Sequence, residues 1–189
     1  MRPRKIQQKI NSKPVQFQSN FKSFFNLENK YIWISFGILY FITILIYRRV
    51  AGYGLLLGWD DMDYVTKNTD IQSLNWTSVK NIFSGFYEGN YQPLTILFYA
   101  IQYWAGNGSS VVFHSTNILF HLLNTFLVYV FIRKLSPKNS IVAFITAALF
   151  AVHPMHVESV AWVSEFKDVL YAFFFLLGLV EYLKFVDSC

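Results

Sequence analysis

Long stretches without a charged side chain constrain this chain more than any other feature. Residues 31–47, 89–132 and 139–157 contain no Asp, Glu, Lys or Arg, and residues 169–180 form a fourth such run. A helix needs about 20 mostly apolar residues to cross a bilayer core of roughly 30 Å. The chain is 54% hydrophobic and 14% charged, whereas soluble domains are about 25% charged. The sequence therefore predicts an integral membrane protein and excludes a disordered chain or a disulfide scaffold.

We predict an all-α membrane protein with four spanning helices, at about residues 31–47, 111–132, 139–155 and 169–186. Residues 93–106 number only 14, which suits an interfacial or re-entrant helix better than a crossing. Interfacial helices of this kind are expected in the long loop that follows the first span.

The charged residues predict which loops face the cytoplasm. The tail at residues 1–30 has seven basic residues and one acid, so the positive-inside rule places it in the cytoplasm. Its polar composition predicts poor order. The loops at about 48–110 and 156–168 then lie outside and hold eight of the 11 acidic residues. Topology thus explains the net charge of +5, and we predict no nucleic-acid partner.

Three carboxylates follow the first span within four positions, at Asp60, Asp61 and Asp63. Carboxylates at a membrane surface can accept a proton from a hydroxyl group or hold a cation beside a phosphate. The alternative interpretation is a hydrated acidic loop without chemistry, because the pattern is short.

Four polar residues share one face of the second span, at His114, Asn117, His121 and Asn124. Their spacing of three, four and three matches the helical repeat. Polar groups inside a membrane usually face a cavity or another helix. The stripe therefore predicts either hydrogen bonds between helices or the lining of a cavity, and alone it does not make a metal site.

The segment between the last two spans, residues 153–169, reads HPMHVESVAWVSEFKDV. Pro154 suits the first turn of a new helix, on which Glu158, Trp162 and Glu165 would share one face with Asp168 nearby. A tryptophan between two carboxylates offers an apolar wall to a sugar or a lipid.

Two other interpretations of this segment stay open. His153, His156 and Glu158 have residue types that bind metals, although their spacing is weak evidence. A solvated interfacial helix, with the Lys167 side chain reaching for water, is the interpretation without chemistry.

Two long strings carry a family resemblance. They are NYQPLTILFYAIQYWAGNGSSVVFHSTNILFHLLNTFLVYVFIRKL and LFAVHPMHVESVAWVSEFKDVLYAFFFLLGL. With the acidic segment before them, residues 55–186 resemble the N-terminal membrane part of the transmembrane and tetratricopeptide-repeat-containing (TMTC-type) proteins. That family resembles the GT-C glycosyltransferases, multispanning enzymes that use a polyprenyl-phosphate sugar outside the cytoplasm. Its eukaryotic members are protein O-mannosyltransferases of the endoplasmic reticulum, and similar proteins occur in bacterial inner membranes.

The resemblance implies roles for individual residues. Asp60 and Asp61 match the acidic pair that includes the GT-C catalytic carboxylate. The residues implied on the donor or acceptor side are Gln92, His121, His153, His156, Glu158, Trp162, Glu165, Lys167 and Asp168. The chain departs from the family at Phe166, where an Arg is usual, and at Gly58–Trp59, where an Asn-Tyr pair is usual.

The resemblance also implies the ligands. A polyprenyl-phosphate sugar would be the donor, and membrane lipid and a protein acceptor would be partners. No particular cofactor is predicted, and a divalent cation beside the carboxylates stays open. The family's tetratricopeptide repeats are absent from this sequence. The expected function is the N-terminal portion of a membrane glycosyltransferase. The alternative is a non-enzymatic membrane subunit or an inactive, truncated remnant.

Overall fold

The computed structural model describes residues 30–188, so the predicted cytoplasmic tail lies outside the described residues. Seven α-helices form this part of the chain: α1 Lys30–Tyr47, α2 Trp76–Ser84, α3 Pro93–Gly106, α4 Ser110–Leu135, α5 Ser140–Val152, α6 Val157–Ala161 and α7 Phe166–Ser188. Shorter helical turns join them: Val50–Gly52, Met62–Thr66, Thr69–Ile71, Pro154–His156 and Val163–Glu165. The helices and the apolar spans confirm the predicted all-α membrane protein.

Three segments are long and apolar enough to cross a membrane: Lys30–Gly52, Ser110–Leu135 and Val163–Ser188. They contain α1, α4 and α7. A fourth crossing is available if Ser140–Val152 and Pro154–Ala161, which are bent by 50° relative to each other, form one broken span. Helix α3 has 14 residues, about 21 Å at 1.5 Å per residue, too short to cross.

The third predicted span differs from the structure at its end. Helix α5 ends at Val152 rather than at residue 155. The reason is local, because the residue before a proline disfavours the helical conformation. His153 precedes Pro154 and is extended, with φ −68° and ψ 130°.

One apolar core joins α1, α4 and α5, and we call it the span core. Its buried members are Phe36, Leu39, Val128, Tyr129, Ala143, Ala147 and Ala151. The three alanines recur every fourth residue, so they form one smooth face of α5. Their small side chains allow close packing, and the Phe36 and Tyr129 rings meet edge to face with centroids 4.8 Å apart.

A second core, the loop core, lies at the opposite end of the helices. It combines the segment after α1 with α3 and the first turns of α4 and α7, and its largest buried members include Tyr64, Ile82, Tyr99, Phe113 and Phe166. Tyr99 is at its centre, with ring centroids 6.0 Å from Phe113 and 5.9 Å from Phe166.

The two cores show the directions of the helices. Helix α1 passes from Phe36 in the span core to Tyr47 in the loop core, whereas α4 runs from Phe113 in the loop core to Tyr129 in the span core. Helix α7 runs like α4, because the ends of both helices are joined by the ion pair of Lys134 with Asp187 at 3.8 Å. Residues 48–110 and 153–165 therefore meet at one end.

A tight turn sets α3 against α4. Asn107 and Gly108 have positive φ angles of 49° and 78°, a conformation that glycine and asparagine adopt most readily. Gly106 leaves no room for a side chain, since an added Cβ would lie 2.4 Å from Cγ2 of Val112. This close approach brings the face of α3 that carries Tyr99 against α4.

Candidate functional site

Asp61 is the most constrained carboxylate of the acidic segment, with only 1% of its surface exposed. Its Oδ2 accepts a hydrogen bond of 2.9 Å from the backbone N–H of Leu56. Its Oδ1 accepts one of 2.9 Å from the backbone N–H of Ser164 and another from the Ser164 hydroxyl group. Asp61 thus joins the segment after the first span to the segment between the last two, and both of its oxygens are occupied.

The continuous helix predicted from Pro154 onward is wrong. Helix α6 ends at Ala161, Trp162 is extended with φ −91° and ψ 126°, and a short 3₁₀ turn precedes α7. Glu158 and Glu165 consequently stand on different elements, on either side of a break, rather than on one helical face.

Side chains from three other elements stabilise this break. Asn117 of α4 donates from Nδ2 to the carbonyl oxygen of Trp162 at 2.9 Å. Tyr99 of α3 donates its hydroxyl proton to the carbonyl oxygen of Val163 at 2.9 Å, and Asp61 accepts from Ser164. Buried backbone polar groups must be paired, and here side chains replace the missing helical hydrogen bonds. We call Asp61, Tyr99 and Asn117 the clamp.

The pKa of Tyr99 responds to its burial and to nearby carboxylates. Burial raises the pKa of the Tyr99 hydroxyl well above its ordinary value, and the charges of Asp61, Glu165 and Asp60 raise it further. The hydroxyl group therefore stays neutral and remains a donor to Val163.

Asp60 differs from its neighbour Asp61. It is half-buried, and within residues 30–188 no side-chain hydrogen bond engages its carboxylate. The adjacent Trp59 is 66% exposed and meets Trp162 edge to face, with ring centroids 5.7 Å apart. Asp63, by contrast, is paired with Lys67 at 3.0 Å on the surface. Asp60 is thus an available carboxylate, and the residue before it, Trp59, belongs to an aromatic pair.

The charged residues after the break lie at the start of α7. Lys167 Nζ is 3.0 Å from Oε1 of Glu165. Asp168 is exposed and accepts a hydrogen bond of 3.3 Å from the Ser159 hydroxyl group. Glu158 is exposed on α6.

Within the described part of the chain, the other predicted binding residues have no hydrogen bond or ring contact to the residues of the break. Gln92 is half-buried and precedes α3 without capping it through its side chain. His153 accepts at Nδ1 from the backbone N–H of Met155 at 3.2 Å. His156 packs against Phe150, with ring centroids 4.4 Å apart.

The polar stripe of α4 is used mainly for packing between elements. Besides the Asn117 contact, His121 Nε2 lies 2.9 Å from the carbonyl oxygen of Ala151, and Asn124 donates to the carbonyl oxygen of Val169 at 2.8 Å. The predicted hydrogen bonds between helices are confirmed for His121 and Asn124, whereas Asn117 bonds to the break between two helices. His114 is buried against the backbone of Gly54.

The side chains of the histidine motif are not arranged as a metal site in this structure. Among the described residues, no group of three or more His, Cys, Asp or Glu side chains could hold a metal ion. His153 and His156 have ring centroids 6.1 Å apart, and Glu158 is on the following helix.

Three residues of the site were not predicted from the sequence. Tyr99 and Ser164 hold the break, and Trp59 forms the aromatic pair. For Tyr99 the sequence did contain a signal. The buried residues of α3, at Ile96, Tyr99 and Ala100, have the spacing of an inward-facing helical stripe.

Comparison with known proteins gives relatives of one kind. The chain is 32% identical to protein O-mannosyl-transferase TMTC1 of Mus musculus over 138 residues, which is 68% of this chain and 15% of the relative. It is 34% identical to TMTC1 of Homo sapiens, over 68% of this chain and 16% of that protein. For protein O-mannosyl-transferase TMTC4 of Homo sapiens the identity is 34%, over 67% of this chain and 20% of that protein.

The matches cover only a small part of each relative, since the chain spans between 15% and 20% of the length of these three proteins. No protein-family model matches the chain, and no solved structure matches it significantly. The predicted resemblance is confirmed: over about 70% of its length, this chain is a homologue of the TMTC-type protein O-mannosyl-transferases.

Proposed function

We propose that this chain forms part of the active site of a membrane glycosyltransferase. The reaction transfers a sugar, mannose being the first candidate, from a polyprenyl-phosphate donor to a hydroxyl group of a protein acceptor outside the cytoplasm. One observation carries the proposal: the Asp61–Ser164 contact brings the acidic pair and the HPMHVESVAW segment to one end of the helices. The names of the relatives support the sugar and the class of reaction.

Asp60 is the base in this proposal. A general base must be able to reach the acceptor proton, and the Asp60 carboxylate is half-buried with its oxygens unengaged by described side chains. The acceptor oxygen attacks the anomeric carbon of the sugar while Asp60 takes its proton. The bond from that carbon to the phosphate oxygen breaks, and the polyprenyl phosphate leaves with the electron pair, so the configuration inverts.

The donor sugar is held against the aromatic pair. Trp59 and Trp162 offer an apolar wall beside Asp60, and sugar rings present apolar C–H faces that pack on aromatic rings. The polyprenyl chain would lie in the lipid beside the spanning helices. Its phosphate would approach the first turn of α7, where Lys167 supplies a positive charge.

The Glu165–Lys167 ion pair would balance the charge of Lys167 until the donor phosphate binds. In the absence of donor, Lys167 is neutralised by Glu165 at 3.0 Å. Arg48 and Arg49, both exposed directly after α1, are further cations, and in this proposal they would take the role of the Arg that is missing at Phe166. None of these steps requires a divalent cation.

The alternative function is that of a membrane subunit without catalysis. The observation that favours it is the use of the polar stripe, since Asn117, His121 and Asn124 all bond to backbone carbonyl groups. In that case the acidic pair and the break would serve folding alone, and the chain would bind no donor.

The test is a transfer assay with two donors. The protein that contains this chain is reconstituted in lipid nanodiscs and given a Ser/Thr-rich peptide, with either polyprenyl-phosphate mannose or a nucleotide-linked mannose. The proposal predicts a mannosylated peptide with the lipid donor alone. Transfer from the nucleotide sugar, or no transfer from the lipid donor above empty nanodiscs, contradicts it.

A further inference from the structure

We infer that Asp61 is a positioning residue, which acts through the clamp on the broken segment and does not take the proton. The inference rests on the proposed function, because it divides the work of the acidic pair between its two members. Asp60 takes the proton, and Asp61, together with Tyr99 and Asn117, sets the place of Trp162 and Glu165 relative to it.

The hydrogen bonds of Asp61 carry this division. Its two oxygens accept from the N–H of Leu56, the N–H of Ser164 and the hydroxyl group of Ser164. Each oxygen of the carboxylate is therefore already engaged by a donor from another segment or residue of the chain. Both Asp61 and Ser164 are also 1% exposed, so an acceptor hydroxyl group cannot approach Asp61 without breaking these contacts.

The clamp acts on three consecutive residues. Asn117, Tyr99 and Asp61 bond to the backbone of Trp162, Val163 and Ser164 in turn. These clamp residues come from α4, from α3 and from the segment after α1, so the position of the break is fixed relative to three separate elements.

The clamp connects directly to the groups that would meet the substrate. Trp162 is the extended residue of the break, and its ring forms the aromatic pair with Trp59. Glu165 directly follows Ser164 and ends the 3₁₀ turn. A shift of about 1 Å in reacting groups can cost a hundredfold in rate. Loosening the clamp should therefore slow the transfer, while Asp60 remains the base.

Hydrogen exchange tests the clamp without reference to activity. Asp61→Asn keeps one acceptor oxygen but turns an N–H group toward a backbone donor, and Tyr99→Phe leaves the Val163 carbonyl group unpaired. In both variants we expect amide exchange in the peptide of residues 162–166 to rise about tenfold, the effect of losing one net hydrogen bond. Tyr91→Phe is the matched control, since Tyr91 donates to the Phe83 carbonyl group on the surface. In this variant, exchange in the peptide of residues 162–166 should be unchanged.

The pH dependence of transfer then separates positioning from proton transfer. For Asp61→Asn and Tyr99→Phe we expect kcat to fall about tenfold to thirtyfold, with the acid limb of the pH profile kept where it is in the unmodified chain. Loss of that limb in Asp61→Asn would make Asp61 the base and overturn the inference, as would unchanged exchange at residues 162–166. If the unmodified chain transfers no sugar but exchange responds as expected, the proposed function fails and the clamp stands.

Discussion

Asp61 and Ser164 are 103 positions apart in the sequence, and yet the carboxylate of one accepts two hydrogen bonds from the other. Both residues are almost wholly buried. Because the contact links the loop after α1 to the loop before α7, it determines how the two acidic segments face each other. It also requires both segments to lie on the same side of the membrane.

This requirement predicts a labelling pattern. In a Cys189→Ser background, which has no other cysteine, single cysteines at Asp63 and Glu158 should react with a membrane-impermeant maleimide from the same side. A cysteine at Lys138, between α4 and α5, should react only from the opposite side. Labelling of the first two positions from opposite sides would disprove the arrangement.

The aromatic pair predicts an effect on substrate affinity. Trp59→Ala removes the exposed member of the wall, so we expect KM for the lipid donor to rise about tenfold, in line with the roughly 1–3 kcal/mol that a base stacked on an aromatic side chain contributes in nucleic-acid sites. The value of kcat should change less. Trp76→Ala is the control, since Trp76 is 81% exposed on α2 and should leave both constants unaltered. A lower kcat with unchanged KM in Trp59→Ala would argue against a binding role.

The two asparagines of the polar stripe should behave differently. Asn117 donates to the broken segment and Asn124 to Val169 within α7, at 2.9 and 2.8 Å. Either change to Ala should lower the free energy of unfolding by about 1–3 kcal/mol, the cost of leaving a buried carbonyl group unpaired. Only Asn117→Ala should also lower kcat. Equal loss of transfer in both variants, measured below their unfolding temperatures, would contradict this distinction.

The turn between α3 and α4 predicts a loss of stability. Gly106→Ala would place a methyl group against Val112, and overpacking of this kind costs about 1–3 kcal/mol. Gly178→Ala, in α7, meets no atom within 4 Å and should be neutral or slightly stabilising, because alanine favours helices. The thermal midpoint in detergent checks both, and an equal midpoint for the two variants would show that the turn tolerates a side chain.

The sequence predicted the helices well because apolar length and charge act locally. Helix α3 begins and ends at the predicted residues 93 and 106, and α1 and α4 extend their predicted spans by one residue at Lys30 and by a few residues at Leu135. The same reasoning gave the stripe on α4, since a polar face within an apolar helix is visible in the spacing alone.

The break at Trp162 was not predictable in this way. Local propensity continues a helix from Pro154, because VESVAWVSEF contains no proline or glycine. Tertiary contacts override that propensity: Tyr99 and Asp61 satisfy the backbone groups that a helix would have paired. Such contacts join residues more than 60 positions apart, and helical periodicity carries no information about them.

The division of roles within the acidic pair depends on the same long-range contacts. Asp60 and Asp61 are chemically identical and adjacent, so the sequence offers no reason to choose between them. Burial and hydrogen bonding separate them in the structure, since Asp61 is enclosed by Leu56 and Ser164.

The most direct test of the account is the rate of mannose transfer from polyprenyl-phosphate mannose in Asp60→Asn compared with Asp63→Asn. Both variants lose one carboxylate from the same segment, but Asp63 is paired with Lys67 on the surface. We predict that Asp60→Asn lowers kcat at least a hundredfold, the lower end of the effect of a general base, while Asp63→Asn transfers at the rate of the unmodified chain. Equal rates in the two variants would contradict the assignment of Asp60 as the base.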